Sequence, residues 1–134
     1  SLAGMPLIQA LEAGLALLYS DGFIKSNKGE LVRRALLNAH LMAPAYALQR
    51  QFMAIVGFNT VARLGEIEAP TLVLSGTADR VMPRPNAQVL VEGIAGAQLV
   101  ELEGAGHGFL VEKAEEVNAA VLSFLGQNRA EAAA

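Results

Sequence analysis

Two side chains in the second half of the sequence, Asp79 and His107, could perform acid–base chemistry together. Each follows a short apolar segment, and His107 lies 28 positions after Asp79. A carboxylate that accepts the Nδ1–H of an imidazole fixes the tautomer of the ring and stabilises its protonated form, which leaves Nε2 free to act as a general base. The pair therefore supplies two of the three groups of a nucleophile–histidine–acid triad.

Each of these residues also has a simpler interpretation. Asp79 ends the turn-like sequence Gly-Thr-Ala-Asp at positions 76–79, where its side chain could serve only to cap the turn. His107 could be a loop histidine that makes a structural hydrogen bond. The glycines at positions 104, 106 and 108 superficially resemble a phosphate-binding loop, but they match neither G-x-G-x-x-G nor a Walker motif. Nucleotide binding is therefore not expected.

The elements around the pair are expected to form a β-α-β unit. Residues 71–75 are a β-branched and apolar run closed by Gly76, which is typical of a buried parallel strand. Residues 85–92 predict a helix that ends at Gly93, and residues 98–102 predict a second strand. Neighbouring strands lie about 4.8 Å apart, and parallel strands end at the same edge of a sheet. We therefore expect Asp79 and His107 to come within hydrogen-bond reach.

A final helix should pack on this sheet. Its apolar residues recur at helical spacing, and Glu115 and Glu116 provide a charged first turn that suits the positive end of a helix dipole. The predicted buried stripe consists of Ala114, Val117, Val121, Phe124 and Leu125.

The first half of the sequence predicts short amphipathic helices. They are expected over residues 7–19, ended by Asp21-Gly22, over 30–41 with Asn27 as cap, from Pro44 to about Phe58, and from Asn59 to Gly65. His40 should lie on an exposed helical surface. A group of larger apolar side chains could line an acyl pocket or simply pack in a core, and it comprises Met42, Leu48, Phe52 and Met53.

Three stretches of the second half resemble the C-terminal part of an α/β-hydrolase. They are IEAPTLVLSGTADRVMP at 67–83, QLVELEGAGHGF at 98–109 and EEVNAAVLSFL at 115–125. The resemblance implies an α/β fold whose acid is Asp79 and whose histidine is His107, with a pattern similar to 3-oxoadipate enol-lactonase-like esterases and lactonases. It also implies a helical cap-like segment over residues 1–65 and a C-terminal β-α-β-α part with two parallel strands over residues 66–134.

The nucleophile of that family is missing from this sequence. The fold carries it in G-x-S-x-G, ahead of the acid and the histidine in the chain, and none of Ser1, Ser20, Ser26, Ser75 and Ser123 has this context. We therefore expect a truncated α/β-hydrolase whose parent cleaves an ester, lactone or similar activated carbonyl without a cofactor or a metal. The chain alone is expected to be inactive.

The composition excludes several other classes of protein. The 134 residues suit one domain, and 53% hydrophobic with 17% charged residues is too apolar for a disordered chain. A net charge of −3 argues against a nucleic-acid partner, and the absence of cysteine excludes disulfides and a thiol nucleophile. Charged or polar residues interrupt every apolar stretch before the length of a membrane span, and no export signal is evident. The cytoplasm is the default expectation.

A non-enzymatic, self-associating module that retains hydrolase architecture is the alternative function. Under either interpretation the strand at residues 71–75 would have an unpaired edge and the helices would have uncovered apolar faces. We therefore expect a homodimer formed through the strand edge or the helices.

Overall fold

The computed structural model describes residues 7–41 and 43–132, with the side chains of Leu7, Ala45 and residues 130–132 left aside. Ser1 and Met42 of the sequence-based predictions lie outside the described residues, as do the outermost ends of the two predicted segments. Within the described residues the elements are α1 (Leu7–Leu18), α2 (Asp21–Leu37), α3 (Ala45–Val56), β1 (Leu72–Gly76), α4 (Arg84–Gly93), β2 (Gln98–Leu102), α5 (Phe109–Glu112) and α6 (Ala114–Ala132). Short 3₁₀ helices occupy Ala39–Leu41 and Val61–Glu66.

The predicted β-α-β unit is confirmed. Strands β1 and β2 pair in parallel, with Leu72 opposite Gln98 and Gly76 opposite Leu102. Strand β2 has the predicted bounds, whereas β1 begins and ends one residue later than predicted. The carboxyl ends of both strands therefore lie side by side, at the edge where the loops that carry Asp79 and His107 begin.

The sheet and the last helix enclose the main apolar core. Leu102, Ala105 and Val117 are buried at its centre, and Leu74, Val100, Phe109 and Val121 pack around them. Helix α6 begins with Glu115 and Glu116 in its first turn, as predicted. Of its predicted buried stripe, however, Ala114 is exposed and Leu125 remains 57% exposed.

The first half is helical, but its second helix differs from the prediction. Helix α2 begins at Asp21, where the hydroxyl of Ser20 accepts a hydrogen bond from the amide of Phe23 and caps the helix. The second helix was predicted over residues 30–41, and its start was wrong because the serine cap begins the helix at Asp21. Asn27 is not a cap: it lies inside α2 and donates its side-chain amide to the carbonyl of Phe23.

For the remaining helices of the first half, the predicted starts agree with the structure better than the predicted burial does. Pro44 precedes α3, and Asn59 accepts from the amide of Val61 at the start of the second 3₁₀ helix. His40 is exposed as predicted, although it lies in a 3₁₀ turn. The interpretation that Phe52 and Met53 pack in a core was wrong, because each side chain is 64% exposed.

Candidate active site

Asp79 lies in the tight turn that follows β1. Its backbone amide donates to the carbonyl of Gly76, and its Oδ1 accepts from the amides of Val81 and Met82 at 2.7 and 2.8 Å. The turn-capping role considered for Asp79 is therefore present in the structure. It uses only one of the two carboxylate oxygens.

The second oxygen of Asp79 faces His107. The distance from His107 Nδ1 to Asp79 Oδ2 is 2.9 Å, within hydrogen-bond range. The carboxylate side chain is 2% exposed, whereas the imidazole is 39% exposed. With Nδ1 engaged by the buried carboxylate, Nε2 is the ring nitrogen available to another group.

The surroundings of Asp79 favour its charged form. Burial by itself raises the pKa of this carboxyl, but the hydrogen bonds from the Met82 amide, the His107 ring and the Val81 amide together lower it below its ordinary value. Asp79 is therefore ionised at neutral pH, and its carboxylate can accept a hydrogen bond from the Nδ1–H of His107.

The pair borders an apolar cavity of about 260 Å³. Ser75, which is buried inside β1, lies in the same lining as Asp79 and His107. The apolar part of the lining consists of Val73, Leu74, Met82, Ala87, Leu90 and Phe109. A somewhat larger cavity of about 310 Å³ between α1 and α2 includes neither residue of the pair. Of these two cavities, the smaller one is therefore bordered by the Asp79–His107 pair.

The sequence also matches a known protein family. Residues 2–120 match the family described as "Alpha/beta hydrolase family". This chain belongs to the alpha/beta hydrolase family. The resemblance of its C-terminal half to that family is thus confirmed, and so is the fold class.

Relatives of this alpha/beta hydrolase chain include enzymes named as hydrolases. The "AB hydrolase superfamily protein YisY" of Bacillus subtilis is 34% identical over 110 residues, which are 82% of this chain and 41% of that protein. A hydrolase from Pseudomonas aeruginosa has 31% identity and a TM-score of 0.76 over 93% of this chain and 46% of its own. The enol-lactonase of Burkholderia xenovorans has 25% identity and a TM-score of 0.76, covering 92% and 46%. The chain thus spans less than half the length of each.

Two further observations concern the described part of this chain. Among residues 7–41 and 43–132, no three His, Asp or Glu side chains are grouped so as to hold a metal ion. Over the same ranges, none of the helices is both long enough and apolar enough to traverse a bilayer.

The sequence did not predict one side chain that contacts the loop of the candidate site. Glu112, at the end of α5, binds the amide of Gly106 next to His107 and also binds Ser20, which lies 92 residues away. Its position five residues after His107 was visible in the sequence. However, α5 itself was not predicted, and no local pattern indicates a partner so distant.

Proposed function

We propose that this chain carries the acid and the general base of a hydrolase that cleaves esters, lactones or similar activated carbonyls. The observation that supports this most is the contact between His107 Nδ1 and Asp79 Oδ2, made by the oxygen that the turn leaves free. A histidine that merely fills a loop does not require a buried, ionised carboxylate at Nδ1.

In the proposed reaction Asp79 holds the His107 ring with its proton on Nδ1. Nε2 then removes the proton from a nucleophilic hydroxyl while the hydroxyl oxygen attacks the substrate carbonyl carbon. The tetrahedral intermediate collapses, the carbon–oxygen bond to the leaving group breaks, and Nε2 returns the proton to the departing oxygen. A water molecule, activated in the same way, hydrolyses the acyl-enzyme.

The nucleophile is proposed to be a serine in a part of the parent protein that this chain does not span. Two observations support this: the chain covers 41% of the Bacillus relative and 46% of each structural relative, and G-x-S-x-G does not occur in it. Ser75 is a poor substitute because it is buried within a paired strand rather than exposed on a turn after it. The similarity to an enol-lactonase supports a lactone or ester as the substrate class.

The chain alone should be nearly inactive, because an acid–base pair without a nucleophile and an oxyanion site lacks most of the catalytic machinery. Hydrolysis of p-nitrophenyl acetate by the wild-type chain should therefore match that of H107A and of S75A. The exposed His40 provides the matched control, H40A. Robust turnover that is lost in H107A and retained in H40A would contradict this expectation.

The coding sequence upstream of Ser1 provides the positive test. If it encodes a G-x-S-x-G motif, the longer protein should hydrolyse activated esters, and H107A should lower kcat by about 10⁴-fold, as loss of a triad member does. H40A should leave kcat unchanged. An active longer protein that tolerates H107A would overturn the proposal.

A self-associating module without chemistry is the second candidate. It is supported by the helix α3, whose side chains Tyr46, Phe52 and Ile55 are 64–69% exposed. Uncovered apolar surface of this kind favours association, and we propose a second copy of this chain as the partner. A start codon close to Ser1 would favour this module over the enzyme.

A further inference from the structure

The turn between α1 and α2 contacts both loops of the candidate site. We call residues 18–21 the α1–α2 corner. The amide of Gly108 donates to the carbonyl of Leu18 at 2.6 Å, directly after His107. On the other loop, Arg80 Nη2 donates to Asp21 Oδ1 at 3.0 Å, directly after Asp79. The residue that follows each member of the pair is thus bound to the same corner.

Glu112 connects this corner to the other side of His107. Its Oε1 accepts from the amide of Gly106 at 2.9 Å and from the amide of Ser20 at 3.0 Å. Its Oε2 accepts from the hydroxyl of Ser20. One half-buried carboxylate therefore receives three hydrogen bonds, of which one comes from the amide of Gly106, the residue before His107.

The glycines around His107 show how closely the loop lies against the corner. A Cβ on Gly106 would stand 2.9 Å from the carbonyl oxygen of Leu18, and a Cβ on Gly108 would stand 2.3 Å from the Tyr19 ring. Real Cβ atoms do not approach other atoms so closely. The backbone on both sides of His107 therefore lies directly against the corner, with no space there for a side chain at position 106 or 108.

We propose that Glu112 is a positioning residue for His107. By holding the Gly106 amide against the α1–α2 corner, its carboxylate restrains the residue that precedes His107 and so helps to keep Nδ1 in line with Asp79 Oδ2. The catalytic meaning of this positioning rests on the proposed function, but the positioning itself does not. Hydrogen bonds to a charged acceptor are about twice as strong as neutral ones, so a neutral residue at 112 should hold Gly106 less well.

Nuclear magnetic resonance of the ¹⁵N-labelled chain tests the proposal without substrate. We compare wild type, E112Q and E112A, and E116Q is the matched control because Glu116 is exposed and pairs only with Lys113 among the ion pairs of the described residues. In E112Q the Gly106 amide should exchange about tenfold faster than in wild type. In the same variant, the ring nitrogen chemical shifts of His107 should indicate a smaller fraction of the Nδ1–H tautomer. E116Q should change neither the exchange rate of the Gly106 amide nor the His107 shifts.

The result that overturns the proposal is a folded E112Q with wild-type Gly106 exchange and wild-type His107 tautomer. If E112A unfolds, as circular dichroism would show, E112Q decides alone. In an active longer protein, E112Q should lower kcat by up to about 100-fold with little change in KM, since misplacement of a catalytic group acts on the chemical step. Failure of the hydrolase proposal would instead appear as inactivity of the longer protein, with the resonance results unchanged.

Discussion

The two carboxylate oxygens of Asp79 bind different partners. Oδ1 accepts from the two amides of the turn, at Val81 and Met82, while Oδ2 is 2.9 Å from His107 Nδ1. Capping the turn and orienting the imidazole are therefore compatible roles of one side chain. The turn fixes the direction of the carboxylate, and that direction determines where the imidazole can bind.

Replacing Asp79 should change the pH dependence of stability. The pKa of Asp79 in the folded chain lies below its ordinary value of 3.8, so its ionised form stabilises the fold above that value. D79N should be less stable than wild type by about 1–3 kcal/mol at pH 7, the cost of weakening hydrogen bonds to a buried charged group. The difference in unfolding free energy between D79N and wild type should become smaller as the pH falls below 3.8 and then past the lower pKa that Asp79 has in the folded chain, because Asp79 then becomes protonated.

Urea unfolding at pH 7, 5 and 3 measures this effect. The exposed Glu68 provides a control, since E68Q should stay within about 0.5 kcal/mol of wild type at pH 7. A D79N deficit that is the same at pH 3 as at pH 7 would contradict the assignment of Asp79 as a stabilising, ionised group.

At the scale of elements, the close approach of β1 to the His107 loop depends on Gly76. The last residue of β1 is buried, and a Cβ there would lie 2.3 Å from the carbonyl oxygen of Ala105 and 2.6 Å from that of Gly106. The same approach lets Ala105 accept from the amide of Ala78 at 2.9 Å. The loop that carries Asp79 and the loop that carries His107 are thus connected by a backbone hydrogen bond as well as by their side chains.

Gly76→Ala should therefore destabilise the chain by about 1–3 kcal/mol, because added volume in a packed site forces the backbone to shift. Gly14→Ala is the matched control, since Gly14 lies inside α1 and a Cβ there has no atom within 4 Å. It should stabilise by about 0.5–1 kcal/mol, as Ala does over Gly in a helix. Denaturant titration of both variants tests this, and a neutral Gly76→Ala would refute the packing argument.

The sequence predicted the β-α-β unit well because its signals are local. A β-branched run and a turn glycine mark β1, and the parallel pairing follows from the intervening helix; these steps suffice to bring Asp79 to His107. The start of α2 was not predicted because Asp21-Gly22 by itself indicates the end of a helix, whereas Ser20 caps a new helix immediately before Asp21. Glu112 was missed because its contacts with Ser20 bridge 92 residues, and no periodicity encodes such a contact.

At the scale of the whole molecule, apolar surface is concentrated on the helical half. Helix α3 has a clear apolar composition, yet Tyr46, Phe52, Met53, Ile55 and Val56 are each more than 60% exposed. The strand β1 pairs with β2 on one side, and within the described residues no strand pairs with its other side. Both features are surfaces that another polypeptide could cover.

We predict that the chain is a dimer at micromolar concentration and that F52E shifts it toward monomer. A buried charge without a partner disfavours an apolar contact. Size-exclusion chromatography with light scattering measures the mass directly. Q49E adds the same charge at another exposed position of α3 and should have a smaller effect. A stable monomeric wild type would contradict the prediction.

The long reach of Glu112 also orders the events of folding. The Asp79–His107 contact closes a loop of 28 residues, whereas the Glu112–Ser20 contact closes one of 92. The larger loop costs about 1 kcal/mol more entropy to close. The strands and their crossover helix are therefore expected to assemble first, and this step already brings Asp79 close to His107. We expect α1 and α2 to dock afterwards, when Glu112 binds Ser20, so the contacts that restrain the His107 loop should be the last of the site to form.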